Sequence, residues 1–556
     1  MVRPPKSMGP PNVQRARTGV AGLDEILGGG LPTNHIYLID GEPGAGKTTL
    51  GLQFLIEGAR QGERGLYVTL SESRRELLAV AEAHGWSLEG IDIFELTTDG
   101  TMAVEESYTI FHPAEVELQQ TVERVLKSIE ERSPKRVVFD SLSEMRLLAR
   151  EALRFRRQIL ALKQFFDARE CTTLLLDDKT APDNDLQLHS IVHGVILLEH
   201  LALEYGSERR RLQVTKVRGI VFRGGYHDFR IVQGGLRVFP RVLQEPERVQ
   251  PRHDRLLTGS QPLDNLLGGG ITCGTSVLIT GAAGTGKSIL CTQFAQQELS
   301  EGGKVLFYLF DERMSTFHLR SDALGMSLES DRDSGQLILR QVEPTELSPG
   351  EFANQVVEAV QKDNISLLII DSINGYMQSM PEERLLPIQI HELLSFLANN
   401  GVTCVMTLVQ HGIFGNPVGE AADVSYLADT VILLRYFEVA GSVRQAISVV
   451  KKRSGNHERM IRECKVQKGG LFVGEPLREF QGVLTGVPEY TGGVAPLLEE
   501  QPPARWDGKD RRKSRTVGEV FRKRTAQAAA AQSAAAEDGR HREKSGSTGN
   551  RKKPRG

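Results

Sequence analysis

Short apolar runs alternate with longer segments of mixed polarity along most of this chain. In its first part, residues 65–70, 136–140 and 173–177 form continuous, largely apolar runs of five or six residues. Runs of this kind are typical of parallel strands that are buried on both faces. Helical periodicity lies between them, at 115–131 and 153–168. The alternation predicts an α/β fold built on a mostly parallel, doubly wound sheet.

The same pattern occurs a second time further along the chain. Apolar runs at 304–309, 366–371 and 402–408 follow each other in the same order. Residues 258–270 repeat 18–30 at an offset of 240 positions, including a Leu-Asp pair and three consecutive glycines. A repeat of this length indicates a duplicated domain rather than a solenoid unit. We therefore expect two tandem domains between two disordered, compositionally biased ends, divided as 1–16, 17–246, 247–490 and 491–556.

Each half also contains one glycine-rich stretch between an apolar strand and a helix. Residues 41–48 read GEPGAGKT and residues 281–288 read GAAGTGKS. A loop with few Cβ atoms can wrap its backbone N–H groups around a triphosphate, and the helix that follows adds partial positive charge. The lysine can reach the β and γ phosphates and the hydroxyl can bind Mg²⁺. The predicted ATP contacts are Gly41, Gly44, Gly46, Lys47, Thr48 and Thr49 in the first half and Gly281, Gly284, Gly286, Lys287 and Ser288 in the second.

Acidic residues follow the strands on which catalysis would depend. When the strand before each glycine-rich loop is counted as the first, Asp140 and Asp371 end the third apolar strand of their halves. Together with Thr48 and Ser288, respectively, they are predicted to hold Mg²⁺. The second strand is followed by Glu72 in the first half and by Asp311 and Glu312 in the second. Carboxylates at that edge are predicted to orient the water that attacks the γ phosphate.

Composition narrows the class of protein. Hydrophobic residues make up 40% and charged residues 25% of the 556 positions, as in ordinary globular domains. The five cysteines are odd in number and form no Cys-x-x-Cys pair, so neither a disulfide framework nor a structural zinc site is expected. No apolar run approaches the roughly 18 residues needed to span a bilayer, and the amino terminus lacks the pattern of a secretion signal. These features predict a cytoplasmic protein without membrane association.

The duplicated loops, the repeated TGxxxLDx(L/I)LGGG segment, the acid after strand two and the Asp-Ser pairs together resemble the KaiC family over roughly residues 17 to 485. That family consists of double-domain RecA-type ATPases, some of them circadian-clock proteins. The resemblance implies a nucleotide-dependent hexameric ring with ATP between subunits, and a KaiB-like protein or a histidine kinase as signalling partner. It also implies that a Lys-x-Arg pair from each half reaches the neighbour's phosphate, here Lys216 with Arg218 and Lys451 with Arg453.

Some positions depart from the family pattern. KaiC has two adjacent glutamates after strand two, whereas the first half has Ser71-Glu72, which places its hydrolysis rate in doubt. KaiC has adjacent Ser and Thr phospho-acceptors, and here they align with Ser425 and Tyr426. A serine autokinase stays an option, but a two-site phosphorylation cycle does not. His193 occupies the position of Asp429, and we interpret it as a structural histidine.

Three functions remain after these comparisons of residues. The leading interpretation is a KaiC-like ATPase that acts as a signalling or timing switch, with Ser425 as candidate phospho-acceptor. A DNA-dependent motor resembling RadA or DnaB would use the basic tail beyond Arg505 to contact phosphates. Against it, the first loop is not preceded by a four-cysteine module, and the tail has few aromatic residues for base stacking. The third option is a nucleotide-gated scaffold with little turnover.

Overall fold

The computed structural model describes residues 14–96, 113–149, 151–178, 186–203, 206–242, 249–251, 253–378, 385–410, 425–439, 441–483 and 489–490, with backbone alone at 113–121, 186–187 and 489–490. The predictions for residues 1–13 and for the tail, 491–556, lie outside this part. No helix in the described ranges is long and apolar enough to cross a membrane.

The first half folds around a nine-stranded sheet in which the predicted strands are central. Its strands are β1 Arg15–Ala16, β2 Leu31–Pro32, β3 Ile36–Gly41, β4 Gly65–Thr69, β5 Ile91–Glu95, β6 Arg136–Asp140, β7 Thr172–Asp178, β8 Gly194–Leu201, β9 Arg209–Val217, β10 Tyr226–Val232 and β11 Gly235–Phe239. Its helices are α1 Leu23–Ile26, α2 Lys47–Arg60, α3 Arg74–Ala83, α4 Pro113–Arg132, α5 Leu142–Ala149, α6 Ala152–Ala168 and α7 Leu186–Ile191.

The second half has the same elements in the same order. Its strands are β12 Arg255–Leu256, β13 Ile271–Thr272, β14 Ser276–Gly281, β15 Val305–Leu309, β16 Leu337–Gln341, β17 Leu367–Asp371, β18 Thr403–Val409, β19 Thr430–Val439, β20 Ser442–Lys452, β21 Arg462–Gln467, β22 Gly470–Pro476, β23 Phe480–Gln481 and β24 Glu489–Tyr490. Its helices are α8 Gln261–Leu266, α9 Lys287–Ser300, α10 Met314–Ala323, α11 Glu329–Asp333, α12 Pro349–Asp363, α13 Ile373–Gln378 and α14 Leu386–Asn399.

Both large sheets have one topology. The first runs β5-β4-β6-β7-β3-β8-β9-β10-β11 and the second runs β16-β15-β17-β18-β14-β19-β20-β21-β22. The first six strands of each are parallel, and the last three extend the sheet by antiparallel pairing. Helices cover both faces and enclose a separate apolar core on each face. The tandem, mostly parallel α/β fold predicted from the sequence is confirmed, and it is RecA-like. The antiparallel extension was not predicted.

The two halves contact each other through β9 and β10 on one side and the segment that leads into α12 on the other. The Asp228 carboxylate accepts a hydrogen bond from the Gly350 N–H at 2.7 Å, at the amino end of α12. Arg209 donates to the carbonyl oxygen of Thr345 at 3.0 Å. Burial raises the pKa of Asp228 above its ordinary value, and the Gly350 hydrogen bond opposes that rise. The contact therefore includes polar groups of the two halves that satisfy each other's hydrogen bonds.

A buried cation distinguishes the core of the first half. Arg136 is 1% exposed and pairs with Glu63, and it donates to the carbonyl oxygens of Arg17 at 2.6 Å and Phe54 at 2.9 Å. A Cβ at Gly58 would lie 2.5 Å from the Arg136 side chain, so this glycine makes room for it. Gly65 is the register partner of Arg136, whereas the equivalent strands of the second half pair Val305 with Leu367.

We predict that Arg136→Ala lowers the free energy of unfolding of the first half by about 3 kcal/mol. The change leaves Glu63 without its ion-pair partner and two buried carbonyl groups without their hydrogen-bond donor. Arg136→Leu should cost less, since leucine at least fills the apolar volume. Urea unfolding followed by Trp86 fluorescence in a Trp506→Phe background measures both. Equal urea midpoints for the alanine variant and the parent would contradict the prediction.

Candidate functional site

The loop between β3 and α2 has the shape of a phosphate cradle. Gly46 begins α2 from a left-handed backbone conformation, with φ of 98°, and a Cβ there would lie 2.8 Å from Ile231. Glycine is the residue that adopts this conformation without strain. Lys47 is 8% exposed and its ammonium donates to the carbonyl oxygens of Gly41 at 2.7 Å and Glu42 at 2.9 Å. The lysine is thus folded back over its own loop. Thr49 is buried one position after Thr48.

The loop between β14 and α9 has the same geometry. Gly286 has φ of 98° and precedes Lys287, which is 6% exposed. The Lys287 ammonium donates to the carbonyl oxygens of Gly281 at 2.9 Å and Ala282 at 2.7 Å. Desolvation lowers the pKa of Lys287, and Asp371 and Asp311 oppose this shift. Gly44 and Gly284 also have positive φ angles, of 79° and 78°. Both loops therefore share one backbone shape, and the ATP contacts assigned to them stay a prediction.

In the first half, the predicted metal and base residues lie together at the mouth of this loop. The Thr48 hydroxyl lies 3.3 Å from Glu72 Oε1 and 3.4 Å from Asp140 Oδ2. The Tyr67 hydroxyl donates to the same Asp140 oxygen. Burial raises the pKa of Glu72, and nearby Asp140 raises it further. Among the described residues, Glu72 Oε2 is buried and has no hydrogen-bond partner.

The second half arranges the equivalent acids differently. Asp371 accepts a hydrogen bond from Thr407 Oγ1 at 2.5 Å and another from Ser288. Asp311 accepts one from the Ser372 hydroxyl. Glu312 instead forms a bidentate ion pair with Arg320, at 3.1 and 2.7 Å. The first half has Val80 where the sequence offset of 240 places Arg320, so Glu72 has no equivalent cation.

The donor set fits Mg²⁺. Hydroxyl and carboxylate oxygens are hard ligands, and Mg²⁺ commonly uses one or two protein carboxylates together with substrate phosphates and water. Thr48 with Asp140 and Ser288 with Asp371 are the pairs that could hold it. In the described ranges no group of three or more His, Cys, Asp or Glu side chains is placed to bind a metal. Protein ligands alone do not build a closed metal site in this part of the chain.

The predicted Lys-x-Arg pairs lie at the opposite edge of each sheet. Lys216 donates to the carbonyl oxygens of His189 at 2.6 Å and Val192 at 2.8 Å. Lys451 donates in the same way to Ser425 at 3.1 Å and to Ala428 at 2.7 Å. The His189 carbonyl belongs to α7, and the other three lie in the segments that lead into β8 and β19, next to the start of the loop-bearing strand. The lysines are therefore occupied in holding these segments.

The arginine of each pair is more accessible than its lysine. Arg218 and Arg453 are exposed. Arg218 donates to the carbonyl oxygen of Ser190 in α7 at 3.1 Å, and Arg453 donates to that of Tyr426 at 3.0 Å. Arg453 also lies 3.6 Å from Asp429. The structure thus brings Ser425, Lys451 and Arg453 together but does not bring them to the loop of their own half.

His193 and Asp429 have matching structural contacts. The Ile36 N–H donates to His193 Nδ1 at 3.2 Å, and the Ser276 N–H donates to Asp429 Oδ2 at 3.0 Å. Each side chain therefore caps the first residue of the loop-bearing strand. Burial lowers the pKa of His193 to about 4, and His35 and nearby cations contribute. The ring is neutral at pH 7, as its acceptor role requires, which supports the structural interpretation.

Sequence reasoning missed four polar contacts at these sites. They are the Tyr67 and Thr407 hydroxyls on the metal-site carboxylates, Arg320 on Glu312, and Asp178 on Lys47. Asp178 ends the strand beside β3, so its place at the carboxyl edge could have been inferred from the strand order of such folds. The other three depend on which buried side chains face each other across strands and helices, and the apolar pattern does not report that.

The fold and the two loops define a tandem P-loop ATPase. A protein-family model described as "ATPase: KaiC" matches residues 16–242 and again 256–478. The chain belongs to this family, and it is a KaiC-family ATPase. It is 26% identical over 488 residues to a circadian clock oscillator protein KaiC from Picosynechococcus sp., covering 86% of this chain and 92% of the relative. It is 25% identical over 491 residues to the circadian clock protein KaiC3 of Synechocystis sp., covering 86% and 95%.

We predict a pH signature for His193. Its pKa of about 4 lies below the ordinary value near 6.5, so the folded chain binds fewer protons between these values than the unfolded chain does. The stability that it contributes is present above pH 6.5 and is lost as pH falls towards 4. His193→Asp, which copies the second half, should lose less stability between pH 7 and pH 5. Urea midpoints from Trp86 fluorescence measure this, and parallel losses in both proteins would contradict it.

Proposed function

We propose that this protein is an ATP-hydrolysing switch that works as a ring of identical chains, in which each nucleotide is held by one chain and completed by the next. One observation carries the proposal: Arg218 and Arg453 lie at the edge of the sheet opposite the phosphate loop of their own half. Strand β14 spans six residues between Ser276 and Gly281. At about 3.3 Å per residue, the two edges are roughly 20 Å apart. An arginine at that edge does not reach the phosphate loop of its own half, and in the proposed ring the phosphate it would reach belongs to another copy.

In each half, the chain's own residues would divide the work on ATP. Backbone N–H groups of the loop and the lysine ammonium bind the β and γ phosphates. Mg²⁺, held by Thr48 with Asp140 or by Ser288 with Asp371, would neutralise phosphate charge. The neighbour's Arg218 or Arg453 would stabilise the charge on the transferred phosphoryl oxygens. The bond from the β,γ-bridging oxygen to the γ phosphorus breaks as water attacks, and a carboxylate takes the proton from that water.

The carboxylate that accepts this proton differs between the halves. The pKa of Glu72 is raised, and one of its oxygens is buried with no hydrogen-bond partner in the described part of the chain; both properties suit a general base. Glu312 is neutralised by Arg320, so Asp311 is the better candidate in the second half. We therefore infer that the first half, despite its single glutamate, hydrolyses ATP through Glu72 and that the second half relies on Asp311.

Glu→Gln at position 72 should lower turnover about 10²-fold or more while ATP still binds, because the amide keeps the shape but cannot accept the proton. The measurement is single-turnover hydrolysis in a Lys287→Ala chain, which isolates the first site. In a Lys47→Ala chain, Asp311→Asn should slow the second site more than Glu312→Gln does. Undiminished hydrolysis by Glu72→Gln would remove that residue from the mechanism.

Action across the interface predicts complementation. Chains carrying Lys47→Ala and Lys287→Ala lack nucleotide, and chains carrying Arg218→Ala and Arg453→Ala lack the arginines, so both should be inactive. Mixed rings should recover part of the ATPase activity, because some interfaces pair an intact loop with an intact arginine. Co-purification of two differently tagged chains is the control for mixing. Absence of recovery in rings shown to be mixed would contradict action in trans.

The same geometry bears on Ser425. Its carbonyl oxygen accepts from Lys451, at the edge remote from its own Lys287. A phosphoryl group could thus come from ATP on a neighbouring copy, whose Asp311 would take the hydroxyl proton as the Ser425 oxygen bonds to the γ phosphorus and ADP leaves. A phosphoserine would add about −1.5 to −2 charges at pH 7. Asp429 and Arg453 lie on the same edge, where the phosphate charge would repel the first and attract the second.

Incubation with Mg·ATP should phosphorylate Ser425, and mass spectrometry of the peptide that contains it is the measurement. Lys287→Ala should abolish the modification, whereas Lys47→Ala should leave it, because the second site supplies the phosphate. Ser425→Ala is the control for site assignment. Hydrolysis of ATP with Ser425 unmodified would reduce the proposal to an ATPase switch without autokinase activity.

A further inference from the structure

The two nucleotide sites differ at the residue that ends the strand beside the loop-bearing strand. In the sheet register, Gly41 lies opposite Asp178 and Gly281 lies opposite Val409. Strands β7 and β18 occupy the same place in the two sheets, so these positions correspond. The first site therefore carries a carboxylate where the second carries an apolar side chain.

Asp178 contacts the lysine of the phosphate loop directly. Its Oδ1 lies 2.7 Å from Lys47 Nζ, and the two side chains are 29% and 8% exposed. The Ser143 hydroxyl lies 3.3 Å from Asp178 Oδ2 and accepts from the Asp178 N–H at 3.1 Å, which orients the carboxylate towards the loop. In the second half, the Asn374 side chain contacts the backbone of Val409 in the equivalent place, so the scaffold is kept while the charge is not.

A second carboxylate precedes Asp178 in the chain and has a cation of its own. The adjacent Asp177 is paired with Arg146, which donates to Asp177 Oδ1 at 3.1 Å and forms a second contact to Oδ2. The Asp178 carboxylate is paired with Lys47, the buried lysine that would bind a triphosphate. Asp178 also raises the pKa of Asp140, although burial of Asp140 is the larger cause. The carboxylate is thus close enough to the predicted metal position to influence it.

We propose that Asp178 sets the nucleotide affinity of the first site, where its carboxylate competes with the phosphates of the nucleotide for Lys47. The inference rests on the proposed function, since it requires Lys47 to bind phosphate. A carboxylate 2.7 Å from the ammonium offsets part of its charge and repels phosphate oxygens that approach the same group. The first site then binds ATP more weakly than the second and depends more steeply on Mg²⁺, whose charge offsets that repulsion.

Equilibrium binding of a slowly hydrolysed ATP analogue to the full-length chain tests this, with Mg²⁺ and with excess chelator. Lys287→Ala isolates the first site. Adding Asp178→Asn should tighten binding about tenfold with Mg²⁺ present and more with the chelator. The exchange keeps the shape of the side chain, so circular dichroism should match that of the parent chain. Unchanged or weaker binding by the Asp178→Asn chain overturns the inference.

The second site provides the matched gain of charge. In a Lys47→Ala chain, Val409→Asp should weaken binding about tenfold and steepen its Mg²⁺ dependence, whereas Val409→Asn should change neither. Equal behaviour of the two Val409 variants also overturns the inference. These results are separable from a failure of the proposed function. If the Lys287→Ala chain binds no nucleotide, or if adding Lys47→Ala leaves its binding intact, the assignment of the first site is wrong and this inference falls with it.

Discussion

The direction of the parallel strands is the constraint on which the rest of this structure depends. Because β3 runs parallel to β7 and β8, their carboxyl ends meet at one edge, and the glycine loop, Asp140 and Asp178 collect there. The amino ends meet at the other edge, where the loops held by Lys216 and Lys451 lie. One chain therefore separates the lysine proposed to bind phosphate from the arginines proposed to assist its transfer. In the proposed ring, a second copy would bring the two together without rearranging the sheet.

Duplication preserved this framework and let its chemistry diverge. The lysine folds back on the loop carbonyls in the same way in both halves. In each half, a hydroxyl on a neighbouring strand donates to the carboxylate that is predicted to hold Mg²⁺. Tyr67 donates to Asp140 in the first half, and Thr407 donates to Asp371 from the strand on the opposite side in the second. The two sites therefore share their backbone geometry and differ in their polar partners. That difference would let them respond differently to the same nucleotide.

The contact between the halves lies close in the structure to the acids of the second half. Asp228 of the first half caps the amino end of α12, and Phe352 on that helix packs against Tyr308, Phe310 and Tyr376 with ring centroids 4.9, 5.7 and 5.4 Å away. Phe310 directly precedes Asp311 in the chain. These packed rings thus connect the contact between the halves to the chain segment that carries Asp311.

The sequence by itself determined the duplication, the strand–helix alternation, both phosphate loops and the acids that end their strands. These are local signals: apolar runs, glycines that permit a left-handed conformation at Gly46 and Gly286, and residue spacing. The tertiary structure decided which of those acids are available. Among the described residues, one oxygen of Glu72 has no hydrogen-bond partner, whereas Arg320, in the second turn of α10, forms an ion pair with Glu312. It also decided that Asp178 reaches Lys47 across 131 positions of chain, and that the arginines face away from their own loops. Such contacts depend on which strands become neighbours and which edge a side chain occupies, and neither is encoded in the pattern of any single segment.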